Sequence, residues 1–145
     1  ATRGVIDPGA QDDPIVRGVT EIFGDTGVYE VYPTADSKII VRGLVLKGMS
    51  PTDPPAETTH RRRTDPPGQA PGPLNDPPMP VAWTRSATNE AGRINKSLTT
   101  TMGAATDLQS EGLSRLVVNG VDWGLGLDVP ARADVTNVDE CKPSH

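Results

Sequence analysis

Residues 92–130, GRINKSLTTTMGAATDLQSEGLSRLVVNGVDWGLGLDVP, constrain the fold most, because only here do a strand signal, a small-residue turn and an amphipathic helix follow without interruption. Leu98-Thr99-Thr100-Thr101 is rich in β-branched residues and runs into Met102-Gly103-Ala104-Ala105, the pattern of a strand entering a close turn. Beyond it Leu113, Leu116, Val117, Gly120, Val121, Gly124 and Leu127 recur at spacings of three and four. That spacing predicts one buried helix face, with Arg115, Asn119 and Asp122 off it. Ser110 suits the N-cap, Glu111 the positive end of the helix dipole, and Gly124, Gly126 and Pro130 the stop. Glycines at 112, 120 and 124 each cost roughly 1 kcal/mol against Ala, so the helix is expected to recover that by lying close against strands. Trp123 is expected to anchor the edge of the core, since a lone Trp on a helix most often packs.

Ahead of this stretch, the prolines divide the chain. Ten of the fifteen fall within residues 51–80, a segment with almost no large apolar side chain, which reads as a loop or disordered insertion. Residues 1–14 are turn-rich, and Ile15, Val19 and Ile22 fit one face of a helical turn. Val28-Tyr29-Glu30-Val31-Tyr32 alternates as a strand stopped by Pro33. Residues 37–48, SKIIVRGLVLKG, are apolar enough for a strand buried on both faces, with a bulge at Gly43. Pro80-Val81-Ala82-Trp83-Thr84-Arg85 reads as a further strand, and residues 88–92 as the turn that returns the chain from Arg93 in a hairpin.

Thirty Leu, Ile, Val and Phe among 145 residues give one domain over 1–145 with a thin core. A net charge of −5 argues against a nucleic-acid partner, because phosphate affinity rests on clustered Lys and Arg. No apolar run approaches the roughly 18 residues of a membrane span, so no membrane partner is expected. Ala1 opens the chain without an initiator Met, and compartment is not legible there. Cys141, the lone cysteine, offers no disulfide and reads as a tail residue, in an exposed acidic exit with Asp134, Asp139 and Glu140.

Catalytic signatures such as a nucleophile elbow, a Walker loop or paired CxxC are absent. His60 and His145 sit in a loop and at the terminus, so neither a His-based metal site nor a cofactor is expected. General acid–base work would fall to Asp13, Asp25, Glu30 or Asp107. Asp107 stands where a strand-to-helix turn opens, the usual ligand position of open α/β sheets; the competing reading is a helix-initiating Asp that accepts backbone N–H groups. Thr101 and the backbone at Gly103 offer a hydroxyl and an N–H to a polyol or anion. The run His60-Arg61-Arg62-Arg63 admits an anion contact, though such a run in a proline-rich loop is more often only solvated.

Several segments together resemble the C-terminal half of a ThuA-like (trehalose-utilisation) domain. They are Asp13-Pro14-Ile15-Val16-Arg17-Gly18, Gly24-Asp25-Thr26-Gly27-Val28-Tyr29, Leu46-Lys47-Gly48-Met49-Ser50-Pro51, Pro80-Val81-Ala82-Trp83-Thr84-Arg85, Gly92-Arg93, residues 99–108, residues 111–119, Trp123 and Gly126-Leu127. The resemblance implies a doubly wound, flavodoxin-like α/β sheet akin to class I glutamine amidotransferases, with the N-terminal βα units missing, and a role in saccharide metabolism of undefined reaction. Several members carry His where this chain has Asp13 and Ala104. They also lack the polar insert Asn95-Lys96-Ser97, which would cost several kcal/mol if buried unpaired in a central strand.

The expected function is therefore binding of a trehalose-type saccharide or an oxidised saccharide in a cleft at the carboxyl edge of the sheet, lined by the 24–29 and 101–107 turns. Its candidate residues are Asp13, Asp25, Thr26, Tyr29, Trp83, Arg93, Thr101, Gly103 and Asp107. The alternatives are a non-catalytic module that docks a protein partner through a sheet edge or the proline-rich loop, and a truncated domain without activity of its own.

Overall fold

A computed structural model describes residues 1–136 of the chain. Cys141, His145 and the acidic pair Asp139 and Glu140 lie outside the described residues. Five strands form one sheet: β1 (Thr2–Ile6), β2 (Ile22–Gly24), β3 (Lys38–Val45), β6 (Met79–Thr88) and β7 (Ile94–Thr100), in the order β2-β1-β3-β6-β7. Between them in sequence, β4 (Thr59–His60) and β5 (Gly72–Pro73) pair as a separate two-stranded ribbon within the proline-rich segment. The one α-helix among the described residues, α1 (Glu111–Leu125), follows β7.

Every pairing in the larger sheet is antiparallel, which overturns the expected doubly wound parallel sheet. Parallel neighbours need a crossover of a dozen or more residues, usually helical. Here β6 and β7 are joined directly by the turn in which the Asn89 N–H donates to the Arg93 carbonyl, and no α-helix separates any two strands of the sheet. The apolar run that suggested a parallel strand belongs to β3, which is apolar because it is central. Its irregularity falls around Ile40, where the register with β6 shifts, and not at Gly43. A Cβ on Gly43 would stand 2.5 Å from Val81 and 2.9 Å from Val28, so the residue is small because the segment from 28 onward lies directly on it. That segment, expected as a strand, pairs with no other strand.

The core gathers Ile15, Ile22, Ile40, Val41, Leu113 and Leu116, all essentially inaccessible. Ile15 and Val16 enter it from a single 3-10 turn, Pro14–Val16, rather than from a helix shared with Ile22. The polar insert is harmless for a simple reason: Asn95, Lys96 and Ser97 lie on β7, an edge strand, and are exposed.

Helix α1 starts and stops as its sequence predicts. The Ser110 hydroxyl accepts the Leu113 N–H, and Gly126 closes the last turn at φ 75°. Its buried face differs from the predicted one. Gly112, Leu113, Arg115, Leu116, Asn119 and Gly120 are buried, whereas Val121 and Leu125 are exposed. The reason lies opposite the helix, where loop carbonyls need donors. Asn119 Nδ2 donates to the Ile15 carbonyl at 2.8 Å and the Arg17 carbonyl at 2.9 Å. Arg115 donates to the Gly18 carbonyl at 2.8 Å and the Ala133 carbonyl at 3.1 Å, and pairs with Glu111 one turn back. At Gly120 the helix touches the Leu98 side chain of β7, with Leu98 Cγ 3.2 Å from where a Cβ would be. Trp123 packs at the core edge as expected, with the Lys96 ammonium 5.0 Å from its ring.

Candidate functional site

The two turns expected to frame a cleft do meet, but they close on each other. Asp107, in the 3-10 turn Asp107–Gln109, is fully buried. Its Oδ1 accepts the Thr26 N–H at 3.2 Å, and its Oδ2 accepts the Thr26 hydroxyl together with the N–H groups of Gly103 at 3.0 Å and Ala104 at 3.2 Å. Burial pushes the Asp107 carboxyl up, but the Thr26 hydroxyl and the three N–H donors together outweigh it and hold it below its usual range. Of the candidates, Thr26, Gly103 and Asp107 are thus brought together as a latch between distant turns, with the carboxylate committed to donors of the protein itself.

The remaining candidates scatter. Asp13 caps the Pro14–Val16 turn through the Ile15 N–H and pairs with Lys38 at 2.7 Å. Asp25 lines a depression of about 350 Å³ that it shares with Glu21, Phe23, Pro51 and Ser110. Trp83 is half-buried in mid-strand, opposite Ile39 and Thr99. Arg93 is exposed beside the hairpin turn, and the Thr101 hydroxyl is buried without a hydrogen-bond partner.

Tyr29 alone of the nine lines a mainly apolar recess, a cleft of about 510 Å³. The residues following Gly27 line one side and the proline-rich segment, from His60 through Arg62 to Asn75, the other, over Gly43, Val45 and Met79 of the sheet. A volume of this size, with a mainly apolar lining and a few polar side chains, is what small-molecule sites share.

Both walls are fastened. Asn75 fixes one through its carboxamide: Oδ1 accepts the Val45 N–H at 2.9 Å, and Nδ2 donates to the carbonyls of Val45 at 3.1 Å and Ala56 at 2.9 Å. Glu30 ties the other wall to the arginine run. Its Oε1 accepts the Tyr32 hydroxyl at 2.5 Å and the Arg63 N–H at 2.6 Å, while His60 Nε2 lies 3.6 Å from Oε2. The Tyr32 hydroxyl and then the Arg63 N–H pull the Glu30 carboxyl below its ordinary range against a smaller opposing effect of burial, and His60 adds to the pull. The Arg63 guanidinium also lies 5.6 Å from the Tyr32 ring centre. Arg62 is braced from behind, its Nη2 donating to the carbonyls of Pro77 and, at 3.4 Å, Leu74.

Sequence reasoning singled out Tyr29 and Glu30 but set the arginine run aside as solvated and gave no role to Asn75. A lone Asn between Leu74 and the Asp76-Pro77-Pro78 run was the available signal, since Asn in such a setting commonly bonds backbone groups. Among the described residues no cluster of three or more His, Cys, Asp or Glu side chains is placed to hold a metal ion, and no helix is long and apolar enough to cross a membrane. No protein family, curated protein or solved structure matches the chain.

Proposed function

We propose that the chain binds a saccharide in the cleft between Tyr29-Glu30 and the proline-rich segment, with no reaction assigned. The resemblance to ThuA-like domains supplies the ligand class, and one structural observation carries the reading: the Tyr29 side chain stands 59% exposed on the wall of a mainly apolar recess. An exposed aromatic ring beside such a lining suits the C–H faces of a pyranose, while the few polar side chains serve its hydroxyls. Glu30 Oε2 keeps acceptor capacity there, because the short bonds to Tyr32 and Arg63 both fall on Oε1. The cleft lies against the sheet, not at the carboxyl edge of parallel strands, which an antiparallel sheet does not possess.

Calorimetric titration of the chain with trehalose and glucose tests the proposal. Saturable binding that weakens at least tenfold in Tyr29→Ala, with near-UV circular dichroism unchanged, is the expected result. An absence of saturable binding to either sugar, or equal binding in the variant, overturns it.

A further inference from the structure

The sign of charge around the cleft is opposite to that of the chain. The chain carries a net −5, yet the residues facing this recess include Arg62 and His60, with Arg63 immediately behind, against the single carboxylate of Glu30. That carboxylate is already engaged by the Tyr32 hydroxyl and the Arg63 N–H, and its ion pair with the Arg63 guanidinium spans 3.6 Å. Arg62 differs from Arg63 in its side chain: its backbone N–H donates to Asp65 Oδ2 at 2.8 Å, but its guanidinium bonds only to the carbonyls of Leu74 and Pro77, through one nitrogen. Nε and Nη1 remain as donors on a half-buried guanidinium whose position is already fixed. A guanidinium held by neutral carbonyls keeps its full charge, and its fork matches the two oxygens of a carboxylate or a phosphate.

We infer that the cleft selects an anionic saccharide, a sugar bearing a carboxylate or phosphate group, with Arg62 as the residue that reads the anion. The inference rests on the saccharide reading above and adds the charge of its ligand. It also gives the run His60-Arg61-Arg62-Arg63 a role. Its second arginine lines the cleft, and also a neighbouring depression that it shares with Tyr32 and Pro78, while its third lies over the Tyr32 ring. Arg61 takes neither direction, donating only to the Pro66 carbonyl at 3.3 Å.

Titrations of the full chain with glucose, glucuronate and glucose 6-phosphate, each at low and at moderate salt, test this. At least one of the two anionic sugars should bind tenfold or more tighter than glucose, with an advantage that shrinks as salt rises; which one does so distinguishes carboxylate from phosphate. Arg62→Gln should reduce the anionic preference to threefold or less, whereas Arg61→Gln should leave it intact. If Arg62→Gln loosens the loop, Arg62→Lys at matched circular dichroism takes its place: it keeps the charge but loses the fork, and should retain only part of the preference. Glucose binding as tightly as both anionic sugars at low salt overturns the inference while leaving the saccharide reading in place. Binding by none of the three sugars removes both.

Discussion

Asp107 accepts the backbone N–H and the hydroxyl of Thr26, a residue 81 positions earlier, and so ties the turn after β7 to the turn after β2. Replacement by Ala strands the Thr26 N–H and loses charge-assisted bonds each worth about 1.5–3 kcal/mol. Water can reach the exposed Gly103 and Ala104 donors, so the expected total is a loss of about 2–4 kcal/mol, measured as a lowered urea midpoint. Because the folded carboxyl titrates below its unfolded value near 3.9, its contribution is complete above that value and is lost as pH falls through the lower, folded one. Wild type should therefore lose stability toward pH 2 more steeply than Asp107→Asn. Parallel pH profiles would refute the latch.

Three glycines of α1 should respond to the same substitution in three different ways. A Cβ on Gly124 meets nothing within 4 Å, so Gly124→Ala should raise the melting temperature by the helix propensity alone, about 1 kcal/mol. A Cβ on Gly112 would press on the Glu21 carbonyl, whose carbon lies 2.7 Å away, and backbone cannot rotate aside. Gly112→Ala should destabilise by about 1–3 kcal/mol, the usual cost of overpacking. Gly120→Ala meets only the Leu98 side chain, which can turn away, and should fall between the two. Thermal melts of the three variants check the order; a gain at Gly112 would contradict the close approach.

Much of the local structure was legible in the sequence, and the global architecture was not. Ser110, Gly126 and the 88–92 turn follow local rules of capping and hairpin closure, which need no knowledge of neighbours. The apolar run in β3 is ambiguous on its own terms: a central antiparallel strand that is covered on both faces, as β3 is where Val28 packs on Gly43, reads like a parallel one, and periodicity does not separate them. Arg115 and Asn119 were misplaced because apolar spacing cannot see the carbonyls of Gly18, Ile15 and Arg17 waiting opposite the helix. The site was half legible. Tyr29 and Glu30 stood out by type, but the wall facing them comes from a proline-rich stretch whose docking depends on Asn75 and Glu30 contacts across 30 and 33 positions.

Asn75 imitates a paired strand residue, exchanging both bonds with the backbone of Val45. Asn75→Ala leaves the Val45 N–H and the Ala56 carbonyl without these partners and should cost about 1–3 kcal/mol. Amide exchange gives the sharper readout. The Val45 N–H should lose protection in the variant while the Leu98 N–H region of β7 is unaffected, since the two lie on different parts of the sheet. Unchanged protection at Val45 would mean that another group takes up its hydrogen.

Glu30 joins the segment after Gly27 to the arginine run, so its removal should free that run. Trypsin cuts after Arg, and Arg61, Arg62 and Arg63 are joined in sequence at an exposed surface. With Glu30→Ala, cleavage within 61–63 at pH 8 should accelerate severalfold over wild type, whereas Arg93, held in the hairpin turn through the Asn89 side chain, should be cut at the same rate in both. The same contact predicts an acid limit. The folded Glu30 carboxyl lies below its unfolded value near 4.3, so the contact is intact above that value and opens as pH falls through the lower one. The Tyr32 ring, whose hydroxyl donates to this carboxylate, reports the event. Its resonances should titrate with a midpoint below 4.3 in wild type and show no such step in Glu30→Gln. A midpoint at or above the ordinary glutamate value would show that Tyr32 and Arg63 do not hold this carboxylate in solution, and the wall they build beside the cleft would lose its fastening.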